Sequence, residues 1–113
     1  MKTISKLNDK LIPLFQDGEL PEDVLERIRG TIPTLRQMLV RLAGGPKPKD
    51  GEESIWAFQV GMKLRSATDD SVDLEDADFN LLKNRAKDNA MGWNSWELGQ
   101  IRLHLEECEK AKS

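Results

Sequence analysis

The segment Trp93-Asn94-Ser95-Trp96-Glu97-Leu98 constrains this chain more than any other stretch, because it carries the full set of helix-start signals. The Asn94 side chain can accept from the amide of Glu97, Glu97 can reach back to the amide of Asn94, and Trp93 and Leu98 stand where a hydrophobic staple sits. Leu98, Ile101, Leu105 and Cys108 follow at helical spacing, so a capped helix from Ser95 to about Lys110 closes the chain. This start marks a boundary of the fold and carries no chemistry.

Upstream, Ile4, Leu7, Leu11 and Leu14 recur at spacings of three and four, which predicts an amphipathic helix that Pro13 ends or kinks near Ile12. Asp17-Gly18 reads as a turn. Pro21-Glu22-Asp23 opens a second helix with Val24, Leu25 and Ile28 on its buried face. Gly30 stops or bends it, Pro33 sits just inside a new start after Thr31, and Ile32, Leu35, Leu39 and Leu42 form the next stripe, closed by Gly44-Gly45. Residues 45–51, rich in proline and glycine, read as a linker and hinge dividing two helical halves. Beyond it, Glu52 to Ala67 reads as a deeply buried helix, with Ile55, Phe58 and Met62 on one face and Trp56 and Val60 beside it. Val72-Asp73-Leu74 is a short extended entry to a helix beginning near Glu75, with Leu74 and Phe79 as a staple and Phe79, Leu82 and Ala86 facing inward. Asn89 to Gly92 turns the chain. No segment alternates as a strand. The expectation is all-α: an irregular bundle of five or six short helices forming one domain over residues 1–113.

Charged residues make up 33% and hydrophobic residues 38% of the 113, the balance of a globular protein with a densely charged surface. No apolar run approaches the roughly 20 residues of a membrane span, and Met1-Lys2-Thr3-Ile4-Ser5 lacks a signal-peptide hydrophobic region. A cytoplasmic protein without membrane contact is expected. Residues 1–50 carry nine Lys/Arg against seven Asp/Glu, and residues 51–113 eight against thirteen, so the acidic C-terminal half disfavours nonspecific contact with phosphate backbones.

Catalysis needs converging polar groups, and this chain offers few. His104 is the only histidine and Cys108 the only cysteine. They lie one turn apart, yet no third group is evident to orient the imidazole, and Cys108 falls on the apolar stripe as a small buried hydrophobe. Asp69, Asp70, Asp73, Glu75, Asp76 and Asp78 do not fit the ligand spacing of a calcium loop. Asp73 reads instead as a helix cap, with Glu75, Asp76 and Asp78 in the first turn, or as an acidic face for a partner. Gly44-Gly45-Pro46 lacks the lysine and helix of a phosphate-binding loop. No enzyme activity, metal or cofactor is therefore expected. Arg27, Arg29, Arg36 and Arg41 sit on adjacent predicted helices, and nucleic-acid binding would require them to share one exposed face. Trp96 points away from the main stripe of its helix, so an exposed Trp96 would anchor a partner.

Three segments resemble those of small proteins encoded by tailed bacteriophages and prophages. These are Trp56-Ala57-Phe58-Gln59-Val60-Gly61-Met62-Lys63-Leu64, the stretch from Val72 to Lys83, and Leu98 to Glu106, with Thr34-Leu35-Arg36-Gln37-Met38-Leu39 as a weaker upstream match. The resemblance covers about two-thirds of the chain, implies a viral origin and a bacterial host cytosol, and carries no chemistry. Together these readings favour a noncatalytic accessory protein that binds a bacterial host or phage protein through Trp96 or through Asp73, Glu75, Asp76 and Asp78, a host-directed inhibitor being one form. The alternatives are a particle or assembly component that self-associates through the apolar stripes of residues 1–42, and a DNA-binding regulator using Arg27, Arg29, Arg36 and Arg41.

Overall fold

The computed structural model describes residues 1–16 and 18–111, so the Asp17 half of the expected Asp17-Gly18 turn lies outside the described residues. The elements run β1 (Lys2–Ile4), α1 (Glu22–Thr31), α2 (Leu35–Gly44), α3 (Gly51–Ser66), β2 (Val72–Leu74), α4 (Asp76–Lys87) and α5 (Ser95–Lys110). Helix dominates, with a small antiparallel sheet in which Lys2 faces Leu74, Thr3 faces Asp73 and Ile4 faces Val72.

The first segment is not the expected helix. Residues 2–4 are a strand, Lys6 takes a positive φ of 57°, and the backbone amides seek partners far along the chain. Leu7 N donates to Asp70 O (2.8 Å) and Leu11 N to Pro33 O (3.0 Å), bonds that a helix would have used internally. Ile4, Leu7 and Leu11 all reach the core nonetheless, because the turn at residues 6–9 brings successive apolar side chains to the same side. Leu14 stays exposed. The expectation that no segment forms a strand is corrected by the same pairing.

Helix α2 starts later than Pro33 suggested. Thr34 is its N-cap in a complete capping box with Gln37, and Ile32 lies outside the helix, partly buried against the core. Gly45 ends α2 where no side chain fits, since a Cβ there would lie 2.6 Å from Arg41 O and 2.7 Å from the Met91 side chain. The loop that follows joins α2 to α3, and these helices make the most extensive contact between elements of the fold. Close approach is possible because α3 buries Ala57, Val60, Gly61 and Leu64, three of them small or β-branched. Ile55, Phe58 and Met62, expected to be deeply buried, are 61%, 64% and 39% exposed on the opposite face.

Arg85 on α4, only 7% exposed, ties these pieces together. Its Nη1 donates to the carbonyls of Leu42 and Ala43 at the C-terminal end of α2, where a positive charge complements the dipole, and its Nη2 donates to Glu53 at the start of α3 (2.8 Å). Leu74 and Phe79 are fully buried at the spacing of a staple around the start of α4. Asn94 accepts from the Glu97 amide (2.9 Å), as its sequence indicated, and α5 contributes Ile101, Leu105 and Cys108 to a single core with Ile4, Leu39, Leu42, Leu64 and Leu82.

Candidate functional site

The segment 11–15 crosses the first turns of α5, and polar side chains of α5 hold it there. Trp96 Nε1 donates to Ile12 O (2.7 Å) and Gln100 Nε2 donates to the same carbonyl (3.1 Å), while Ile12 N donates to Gln100 Oε1 (2.7 Å). Both backbone groups of Ile12 are thereby satisfied, which frees its side chain to face outward. Ile12, Leu14, Phe15 and Trp96 are 65%, 57%, 41% and 45% exposed. They border an open groove of about 360 Å³ that also takes in Ile28 and Ile32, with Asn94 and Glu97 on its rim. Trp96 is thus neither core nor fully free: its polar edge is used internally and its ring faces the groove.

Of the acidic set, Asp73, Glu75 and Asp76 are exposed and Asp78 is not. Asp78 is buried, accepting from Trp56 Nε1 and Lys63 Nζ at 2.7 Å each. Burial pushes its carboxyl up, and the Lys63 and Trp56 hydrogen bonds outweigh that, leaving it below the ordinary carboxylate value. Asp73 lies in β2 and accepts from Thr3 Oγ1 (2.5 Å), so it does not cap α4; Glu75 occupies the N-cap position without a side-chain cap bond. Asp76 pairs with the amino group of Met1 (3.3 Å). Among the described residues no three His, Cys, Asp or Glu side chains converge in a metal-binding arrangement.

The arginines are likewise engaged separately. Arg27 pairs with Asp23 and Arg29 with Glu22, both on α1, while Arg36 donates to Asp69 O (2.6 Å) and Arg41 Nη1 lies 3.9 Å from Met38 Sδ. The apolar stripes of residues 1–42 that would have met a second copy are largely consumed internally: Ile4, Leu7, Leu11, Leu25, Leu35, Leu39 and Leu42 are all buried.

His104 and Cys108 border a cavity of about 300 Å³ with Thr3, Ser5 and Lys6. His104 Nε2 lies 2.7 Å from Ser5 O and 3.6 Å from Cys108 Sγ. A carbonyl can only accept, so Nε2 carries the hydrogen, and the basic nitrogen of a neutral ring is Nδ1, which the Cys108 contact does not involve. The hydrogen bond with Cys108 raises the His104 pKa against the effect of burial, with Ser5 adding to it. Burial pushes the Cys108 thiol up, and hydrogen bonds to His104 and Ser5 outweigh this to leave it below its ordinary value.

Sequence reasoning singled out Trp96 and missed Ile12, Leu14, Phe15 and Gln100. The available signal was the run Leu11-Ile12-Pro13-Leu14-Phe15, too apolar for an ordinary solvated loop once proline forbids a continuous helix. Among the described residues no helix is long and apolar enough to cross a membrane. Comparison of the chain with protein-family models, curated proteins and solved structures finds no match.

Proposed function

We propose that this protein is a noncatalytic, phage-type accessory protein that binds another protein by seating an apolar segment of it in the groove beside Trp96. The observation that carries the reading is the cluster of Ile12, Leu14, Phe15 and Trp96, large apolar side chains exposed together around one concavity. Grouped apolar exposure of this kind marks interaction surfaces, whereas scattered exposed residues do not. Aromatic anchors such as Phe15 and Trp96 supply most of the energy of an interface. Asn94 and Glu97 on the rim favour a segment whose apolar residues are flanked by hydrogen-bond donors or a basic residue. The resemblance to small phage and prophage proteins supports a bacterial host or phage protein as the partner and the host cytosol as the setting.

The test is capture from a bacterial lysate followed by affinity measurement with the purified captured protein. Leu14→Asp and Phe15→Asp, both at exposed positions, are expected to abolish that binding while leaving the helical circular dichroism unchanged. Undiminished affinity in both variants would remove the groove from consideration.

A further inference from the structure

Helix α3 is apolar on two sides. Ala57, Val60, Gly61 and Leu64 are buried within the fold, and Ile55, Phe58 and Met62, spaced by three and four residues, form a second stripe on the outward face. This outward stripe contributes nothing to the core of its own chain. Its two ends carry opposite charges, Glu52 near the N-terminus of the helix and Arg65 near the C-terminus. Neither makes an ion pair among the described residues, whereas their neighbours Glu53 and Lys63 are engaged with Arg85 and Asp78.

We propose that this face docks against the same face of a second copy of the chain, with the two α3 helices antiparallel. The arrangement of residues along the stripe selects this occupant. Ile55 and Met62 are equidistant from the midpoint between Phe58 and Gln59, and so are Glu52 and Arg65. A two-fold axis at that midpoint brings the Ile55 level of one helix to the partner's Met62 level, and the Glu52 end of one helix to the basic end of the other. A parallel pairing would oppose like charges. The seam between α2 and α3 holds a shallow cavity of about 130 Å³, lined by Phe58, Met62 and Arg65 of the outward face together with Val40, Ala57 and Gly61. The axis passes close to Phe58, so the partner's Phe58 reaches that cavity. A stripe of three large side chains buries less than the roughly 800 Å² per partner of a standard interface, so the dimer is concentration-dependent. This face is separate from the groove beside Trp96, and the inference does not rest on the function proposed for that groove.

The experiment is sedimentation equilibrium of the full chain at low ionic strength, over a dilution series from micromolar to millimolar. The average mass is expected to rise from the 12.8 kDa monomer toward twice that value. Phe58→Asp and, separately, Ile55→Lys should hold the chain monomeric with unchanged helical circular dichroism, since both positions are exposed. Glu52→Arg and Arg65→Glu should each weaken association several-fold, and the double variant should restore it, because the two-fold axis exchanges both charges together. A monomer at every concentration would overturn the proposal. So would a dimer that survives both apolar substitutions, a double charge variant no better than the singles, or a dimer broken by Leu14→Asp, which would place self-association at the groove.

Discussion

Asp78 sits among the first residues of α4 and yet behaves as an interior group, joined to Trp56 and Lys63 of α3. Its carboxyl lies below the ordinary value when folded, because the two hydrogen bonds outweigh the cost of burial. A carboxylate more acidic in the folded state than in the unfolded one stabilises the fold above the ordinary carboxylate range, and that contribution is lost as pH falls through the folded value. Asp78→Asn is therefore expected to flatten the acid side of the stability curve. At neutral pH it should cost about 1–3 kcal/mol, since the Lys63 ammonium and Trp56 indole lose a charged acceptor. Thermal unfolding of both proteins from neutrality into the acid range measures both effects, and parallel acid limbs would show that Asp78 does not set this dependence. At the same scale, Trp96 illustrates how a polar tip and an apolar body can serve different ends, the indole N–H fixing Ile12 while the ring borders the groove.

Among the elements, β1 and the turn after it contribute more than their length suggests. Ile4 is fully buried, and Ile4→Ala is expected to lower stability by about 2–5 kcal/mol in urea unfolding, the range for a large core side chain reduced to a methyl. A loss well under 1 kcal/mol would mean that the strand is peripheral. This segment was also where the sequence misled, because the positions of Ile4, Leu7 and Leu11 satisfy a helical period while their amides are spent on Asp70 and Pro33. Side-chain periodicity reports which residues face the core, and it does not report where the backbone hydrogen bonds go. Capping signals were more informative: Asn94 with Glu97 located the start of α5 because the chemistry is local to a few residues. The outward face of α3 defeated the same logic in reverse. Ile55, Phe58 and Met62 formed the stronger apolar stripe, but the smaller side chains of Ala57 and Gly61 permit the close approach of α2 and so win the core. For the candidate site, Trp96 was visible as an off-stripe aromatic, whereas its partners Ile12, Leu14 and Phe15 come from a segment whose path depends on Gln100, 88 residues after Ile12.

Across the whole molecule stability is unevenly spread. Helix α1 buries only Leu25 fully, and its Arg27–Asp23 and Arg29–Glu22 pairs are exposed contacts worth roughly 0.2–1 kcal/mol each. Helices α2, α3 and α4 share the core and the Arg85 network. Native-state hydrogen exchange is expected to release the amides of α1 first, by local opening, and those of α2 and α4 last, close to the global unfolding free energy. Simultaneous exchange of all five helices would contradict this ordering. The antiparallel pairing of β1 with β2 has a further consequence during synthesis. Thr3 bonds to Asp73 across a separation of 70 residues. Residues 2–4 therefore wait for the synthesis of the 70 residues that separate Thr3 from Asp73 before they can pair, and until then Ile4 and Leu7 travel uncovered. The hairpin of α2 and α3, whose contacts are close in sequence, is free to form earlier and to offer a partner to Leu7, whose carbonyl accepts from Arg36 N. In the nascent chain β1 waits for a strand made long after it, and a pause or truncation before residue 74 leaves Ile4 and Leu7 without the strand that β1 pairs with.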